Sequence, residues 1–273
     1  MHFQAIAFDL DGTLLDSQRQ IRPSSIAAIH AARAKGIEVL ITTGRHHMVT
    51  RPYHHQLNLT TPAICCNGAY LYDFLTQSTL AANPVSMAQA EQFLSLANQH
   101  KIVARVLTTD ALNYVEPDRT LRLYIEWGHQ LPEELKPVFR HFPDYADLLA
   151  EEPLIYSFVV VSDNYEQLKA FERDIVSEIG LSCEWFAKDG FDIANHGNSK
   201  GARLLEWAKK QNIPAESIIA FGDNHNDTSM LEVVGLGVAM GNAAEYTKDV
   251  ADIIANGTNN SDVIADIIAK YAL

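Results

Sequence analysis

Asp9 and Asp11, within Asp9-Leu10-Asp11-Gly12-Thr13, directly follow an apolar run from Phe3 to Phe8. Far downstream, Gly222-Asp223-Asn224-His225-Asn226-Asp227 follows a second apolar run, Ile218 to Phe221. Thr42-Thr43-Gly44-Arg45 follows a third, Ile37 to Ile41, and Lys200 opens a helical stretch after Gly197-Asn198-Ser199. Short apolar runs of this kind are the pattern of strands buried on both faces. In open parallel sheets, ligands bind outside the carboxyl ends of strands. If these three strands are neighbours, the carboxylates of Asp9, Asp11, Asp223 and Asp227 and the hydroxyl of Thr43 converge on one crevice. Two like charges 4 Å apart repel by about 4 kcal/mol at an effective dielectric of about 20. A divalent cation relieves that repulsion, and an all-oxygen donor set selects a hard ion such as Mg²⁺. Lys200 can bring a positive charge to the same crevice. An Asp-x-Asp pair alone is a weak signal; its placement after a buried strand, with the second acidic motif downstream, is far more specific.

The elements that must position these residues alternate. A helix opens at Pro23, with Ser24 or Ser25 as its cap and Ile26, Ile29 and Ala32 at helical spacing, and Gly36 stops it. The strand at 37–41 then completes a strand–helix–strand unit, which favours a parallel sheet with right-handed crossovers. Ala63 to Tyr72 reads as a hairpin around Asn67-Gly68. From about Asn83 the character changes. Helices are expected at Met87–His100 and Asn164–Ile179, strands at Val103–Thr108, Leu121–Trp127, Tyr156–Val161 and Cys183–Ala194, and a surface helix or loop over Pro132–Pro153. The alternation then returns: helix Lys200–Gln211, strand Ile218–Phe221, helix Asp227–Val234, strand Gly237–Met240 and helix Ser261–Tyr271. The expected organisation is a discontinuous α/β core with a parallel sheet, 1–82 and 191–273, interrupted by an α+β insert, 83–190.

Composition narrows the function classes. The 273 residues carry 21 Lys plus Arg against 34 Asp plus Glu, a net charge of −13, and 47% are hydrophobic. There is ample material for a core, and an acidic surface repels nucleic acid and anionic membranes. The three cysteines imply no disulfide framework; adjacent Cys65 and Cys66 read as packing residues. The opening MHFQAIAFDLDGTLL lacks a basic region and a cleavage-like site, and no run is long and apolar enough for a membrane span, so a cytoplasmic location is expected. His46-His47 and His54-His55 offer no clear metal-ligand geometry and read as solvated or substrate-adjacent. Gly235-x-Gly237-x-x-x-Gly241 lacks the dinucleotide spacing, and there is no Walker A sequence.

The chain resembles the haloacid dehalogenase superfamily, in its Cof-type group of phosphatases with a large cap. All four family motifs stand in order: Asp9-x-Asp11-Gly12-Thr13, Thr43-Gly44-Arg45, Lys200, and Gly222-Asp223-x-x-Asn226-Asp227. The resemblance implies a Rossmann-like three-layer α/β sandwich core with an α+β cap that closes over the substrate. It also implies a nucleophile, Asp9, that becomes an aspartyl-phosphate, and a general acid and base, Asp11. Mg²⁺ would be held by Asp9, the backbone carbonyl of Asp11 and Asp223. Phosphate would be bound by Thr43, the amides of Gly44 and Leu10, Lys200 and Asn226, with Asp227 behind the metal shell or Lys200.

Three further segments, Arg45-His46-His47, Ile64–Tyr72 and Cys183-Glu184-Trp185, look similar to bacterial enzymes of this group that dephosphorylate pyridoxal phosphate. The implied substrate is therefore a small phosphorylated metabolite, with pyridoxal 5′-phosphate expected first and sugar phosphates or flavin mononucleotide as alternatives. A phosphomutase and a non-catalytic, receiver-like phospho-acceptor are rival readings. No nucleic-acid or membrane partner is expected.

Overall fold

The computed structural model describes residues 2–273. The first stretch contains β1 (Ala5–Phe8), α1 (Pro23–Ala34), β2 (Glu38–Ile41), α2 (His47–Gln56), β3 (Ala63–Cys65), β4 (Tyr70–Asp73) and β5 (Ser78–Ala82). The middle stretch contains α3 (Met87–Gln99), β6 (Ala104–Thr108), β7 (Leu112–Tyr114), α4 (Arg119–His129), β8 (Phe139–His141), α5 (Tyr145–Leu149), β9 (Ile155–Val161), α6 (Tyr165–Asp174), β10 (Ser182–Ala187) and β11 (Gly190–Ala194). The last stretch contains α7 (Lys200–Lys210), β12 (Ile218–Gly222), α8 (His225–Leu231), β13 (Leu236–Ala239), α9 (Glu245–Val250), β14 (Ile253–Ile254) and α10 (Val263–Tyr271).

The chain divides into two compact units. One comprises the residues up to Arg45, Thr50–Ala81 and Ser199–Leu273; the other comprises His46–Val49 and Ala82–Asn198. The second unit runs past residue 190, where the sequence suggested a return to the core. The reason is pairing: β11 lies between β9 and β10 in an antiparallel sheet, so its residues cannot leave the insert.

In the first unit a parallel sheet runs in the order β14-β13-β12-β1-β2. Its faces alternate as strand geometry requires. Ala5 and Ala7 pack with Leu204, Trp207, Met230 and Leu231, which come from α7 and α8. The opposite-facing Ile6 and Phe8 are equally buried, and α1 packs against β2 and α10 on the remaining side. This is a three-layer α/β sandwich. Beside it, β3, β4 and β5 form a small sheet.

The second unit has a six-stranded sheet, β10-β11-β9-β6-β7-β8, antiparallel except for the parallel pair β7–β8. Phe93 of α3 stacks on Phe158 of β9 with ring centroids 4.0 Å apart, and Leu168 and Phe171 of α6 join the same core.

Several local expectations are corrected. Leu121–Trp127 is helical, within α4. Its Leu-x-Leu-x-Ile-x-Trp alternation imitates a strand, but the Asp118 carboxylate caps the first turn by accepting from the Thr120 and Leu121 amides. The alternation leaves Leu123 exposed, because only Leu121 and Gly128 face inward. Neither serine caps α1: Arg22 holds the cap position, Pro23 sets the first turn, and Ser25 is buried. Helix α2 went unread because Pro52 lies inside it. The Pro132–Pro153 segment contains β8 as well as α5. No helix among the described residues is long and apolar enough to cross a membrane.

Candidate active site

Sheet register alone brings the three strand ends together. Phe8 pairs with Phe221 on one side and with Ile41 on the other. The next residues along each strand are Asp9, Gly222-Asp223 and Thr42-Thr43, so they emerge at one edge. The Asp9 amide extends the ladder by donating to the Phe221 carbonyl at 3.0 Å.

Lys200 is the hub. Ser199 caps α7, its Oγ accepting from the Ala202 amide at 3.0 Å, and this sets Lys200 on the first helical turn, fully buried. Its Nζ donates to Asp9 Oδ1 and to Asp227 Oδ1, both at 2.6 Å. Burial disfavours the ammonium ion, but the two carboxylates outweigh it and raise its pKa. Asp227 is engaged through both oxygens: the second accepts the amides of Asp223 at 2.9 Å and Asn224 at 3.1 Å. Asp227 thus ties the α8 cap to Lys200, which orients Asp9.

Asp223 accepts from Thr13 Oγ1 at 2.8 Å through Oδ1. Burial, then the charge of Asp227, push its carboxyl up to about 7. Burial likewise raises Asp9 well above the usual carboxylate range, against the pull of Lys200. Gly12 closes the motif at φ +77°, where a Cβ would collide with the Asp223 carboxylate.

Asp11 turns elsewhere. Arg45 grips it through two bonds, Nε to Oδ2 at 2.6 Å and Nη2 to Oδ1 at 2.5 Å. The Arg45 side chain is 5% exposed and that of Asp11 is 54% exposed. Partial withdrawal from water pushes the Asp11 carboxyl up, but the guanidinium and its hydrogen bonds hold it below its ordinary value. Thr43 is buried, and its Oγ1 accepts the Arg45 amide at 3.1 Å, which leaves the hydroxyl proton available to a ligand. The Leu10 carbonyl accepts from the Thr13 and Leu15 amides, closing the loop after β1. Gly44 lies in the bend between Thr43 and Arg45. Asn226, on α8, donates Nδ2 to Asn67 Oδ1 at 2.9 Å.

The donor set fits a hard cation. Asp9, Asp223 and Asp227 each present an oxygen within 4.8 Å of the others, and the single ammonium of Lys200 leaves two negative charges uncompensated. Asp227 has both oxygens committed to protein donors, so Asp9 and Asp223 are the carboxylates with capacity to spare. The Asp11 side chain lies outside this cluster, in its ion pair with Arg45.

Sequence reasoning missed Arg45, Thr13 and Asn67 as partners of Asp11, Asp223 and Asn226. Thr13 and Arg45 sit inside the quoted motifs, but Asn67 carried only a turn signal. His54 is buried rather than solvated, its ring bonded to the Thr61 carbonyl at 2.7 Å and its pKa lowered by burial. His46 and His47, in the second unit, are also buried, and His46 bonds to the Thr108 carbonyl at 2.7 Å. Cys65 and Cys66 are buried and form no disulfide, with Cys66 in the turn after β3.

The model of the haloacid dehalogenase-like hydrolase family matches residues 6–268. The chain is 41% identical over 273 residues to the pyridoxal phosphate phosphatase YbhA of Escherichia coli (strain K12), covering 100% of both. It is 31% identical over 281 residues to the phosphatase YwpJ of Bacillus subtilis (strain 168), covering 96% of this chain and 98% of that one. A solved haloacid dehalogenase-like hydrolase from B. subtilis superposes with a TM-score of 0.85 at 28% identity, over 97% of this chain and 99% of that one.

Proposed function

The chain belongs to the haloacid dehalogenase-like hydrolase family and is a phosphatase, and from that premise we propose that it hydrolyses pyridoxal 5′-phosphate through a phosphoryl-enzyme on Asp9. The observation that carries the mechanism is the buried Asp9–Lys200–Asp227 chain of hydrogen bonds, which fixes one carboxylate at a strand end. In the first step an Asp9 oxygen attacks phosphorus, the ester P–O bond breaks, and the leaving alkoxide takes a proton from Asp11. In the second step Asp11 takes a proton from water as its oxygen attacks phosphorus. Orthophosphate leaves and the Asp9 carboxylate is restored.

Asp11 needs two protonation states, and its surroundings offer a push for each. Arg45 favours the ionised form that the second step requires. A phosphate dianion arriving beside it favours the protonated form that the first step requires. Thr43, the Gly44 and Leu10 amides, Lys200 and Asn226 bind the phosphoryl oxygens. Asp9, the Asp11 backbone carbonyl and Asp223 would hold Mg²⁺, which would neutralise part of the phosphoryl charge.

The substrate assignment rests on the full-length identity to the E. coli pyridoxal phosphate phosphatase. The test is kcat/KM for pyridoxal 5′-phosphate against hexose phosphates, erythrose 4-phosphate and flavin mononucleotide. The vitamin ester is expected to rank first. A sugar phosphate preferred by tenfold, about 1.4 kcal/mol in transition-state binding, would remove the vitamin assignment and leave the phosphatase chemistry intact.

A further inference from the structure

The turn between β3 and β4 is strained in an unusual way. Cys66, Asn67 and Gly68 all have positive φ, at 48°, 53° and 92°. Consecutive left-handed residues that include non-glycines are uncommon and persist where their surroundings over-determine them. Here the surroundings are the catalytic motifs. The Cys66 amide donates to the Arg45 carbonyl and the Asn67 amide to the Thr43 carbonyl, both at 3.1 Å. Arg203 Nε, on α7, donates to the Gly68 carbonyl at 3.0 Å. A Cβ on Gly68 would collide with the carbonyl of Ser199, the residue before Lys200. Asn67 Oδ1 then accepts Nδ2 of Asn226 at 2.9 Å. One turn therefore touches the Thr43 strand end, the Lys200 helix start and the Asn226 helix.

The Asn226 amide is held at a cost. Its Oδ1 is buried with no hydrogen-bond partner among the described residues, although buried acceptors are normally satisfied. The fold tolerates the orphan oxygen while keeping the amide edge on Asn67. Asparagine χ2 is otherwise broad, so the Asn67 contact selects one plane for the amide and directs its second N–H.

We propose that Asn67 is a positioning residue for phosphoryl recognition, holding Asn226 in the orientation in which it donates to a phosphate oxygen. The proposal rests on the reading of Asn226 as a phosphate ligand. Because the phosphoryl group is common to all esters, the effect of losing Asn67 is uniform across leaving groups. It appears in phosphate binding more than in the rate of the bound ester.

The experiment uses the full chain as wild type, Asn67→Gly, Asn226→Ala and the double variant. Glycine adopts the left-handed backbone freely, so Asn67→Gly removes the side chain without adding backbone strain, and thermal unfolding checks that the fold is retained. Inhibition by orthophosphate is measured, with KM and kcat for p-nitrophenyl phosphate and pyridoxal 5′-phosphate. Asn67→Gly is expected to raise the orthophosphate Ki and both KM values by roughly three- to tenfold, the effect of freeing one side chain, with kcat changed less. The double variant is expected to match Asn226→Ala. An unchanged Ki in Asn67→Gly, while Asn226→Ala binds phosphate weakly, would overturn the positioning role alone. Additive losses in the double variant would overturn it too. An unchanged Ki in Asn226→Ala would overturn the phosphate-ligand reading and the inference with it.

Discussion

Asp11 has a neighbour that defines how it can act. A carboxylate gripped by a buried guanidinium is seldom protonated, so a role for it as proton donor shows most where the leaving group needs a proton most. Asp11→Asn is expected to slow alkyl phosphates by roughly a hundredfold or more. It is expected to slow p-nitrophenyl phosphate, whose phenolate leaves unaided, far less. Rate constants for both substrate types decide it, and equal losses would make Asp11 structural. The site residues were legible because each follows a buried strand or opens a helix, and their spacing survives as motif. Their partners were less so: the resemblance put Asp227 behind Lys200, but Arg45, Thr13 and Asn67 were not read as partners. Nothing in the spacing of Asp9 and Asp11 says that one faces Lys200 and the other Arg45, since that division arises from side-chain directions after the strand ends. Asn67 was read for the turn it makes and not for what its side chain holds.

Elements place these residues through backbone constraints that single substitutions can probe. The loop after β1 turns at Gly12, which occupies left-handed backbone against Asp223. Gly12→Ala is expected to lower stability by about 1–3 kcal/mol, from backbone strain together with the displaced carboxylate. It is also expected to reduce turnover at least about tenfold. Urea unfolding and phosphate release measure both, and a variant matching the parent in both would contradict the account of the loop. The parallel core was legible because its strands are short, apolar and separated by helices, a pattern with few topologies. The insert was less so. In Leu121–Trp127 a two-residue alternation competed with an Asp118 cap and the cap prevailed; in α2 the helix accommodates Pro52. β11 continued the insert because its pairing partners lie there, a long-range fact that local pattern does not contain.

Across the whole molecule, a net charge of −13 is concentrated most tightly where Asp9, Asp223 and Asp227 meet. Without metal, Asp9 and Asp223 have folded-state pKa values above their ordinary ones, Asp223 at about 7. Between roughly pH 4 and 7 the native state then binds more protons than the unfolded chain, so the contribution of these groups to stability falls as pH rises. Mg²⁺ is expected to offset the loss, since a ligand of the native state stabilises it by mass action. Unfolding midpoints in EDTA near pH 5.5 and pH 7.5, with and without Mg²⁺, provide the check. The metal-free midpoint is expected to fall toward the higher pH, Mg²⁺ to restore it, and Asp223→Asn to lose most of both effects. A parent and an Asp223→Asn variant with the same dependence would contradict the charge-crowding argument.

Transfer of the phosphoryl group to Asp9 leaves a covalent intermediate that can be trapped. Enzyme turning over pyridoxal 5′-phosphate with Mg²⁺ is quenched rapidly, reduced with borohydride, digested and analysed by mass spectrometry. An acyl phosphate on Asp9 is reduced to an alcohol, so the account predicts homoserine at position 9 in the wild type. It predicts no such product in Asp9→Asn, whose turnover falls at least about a thousandfold. Steady phosphate release by Asp9→Asn, or a reduced carboxylate at a residue other than Asp9, would contradict it.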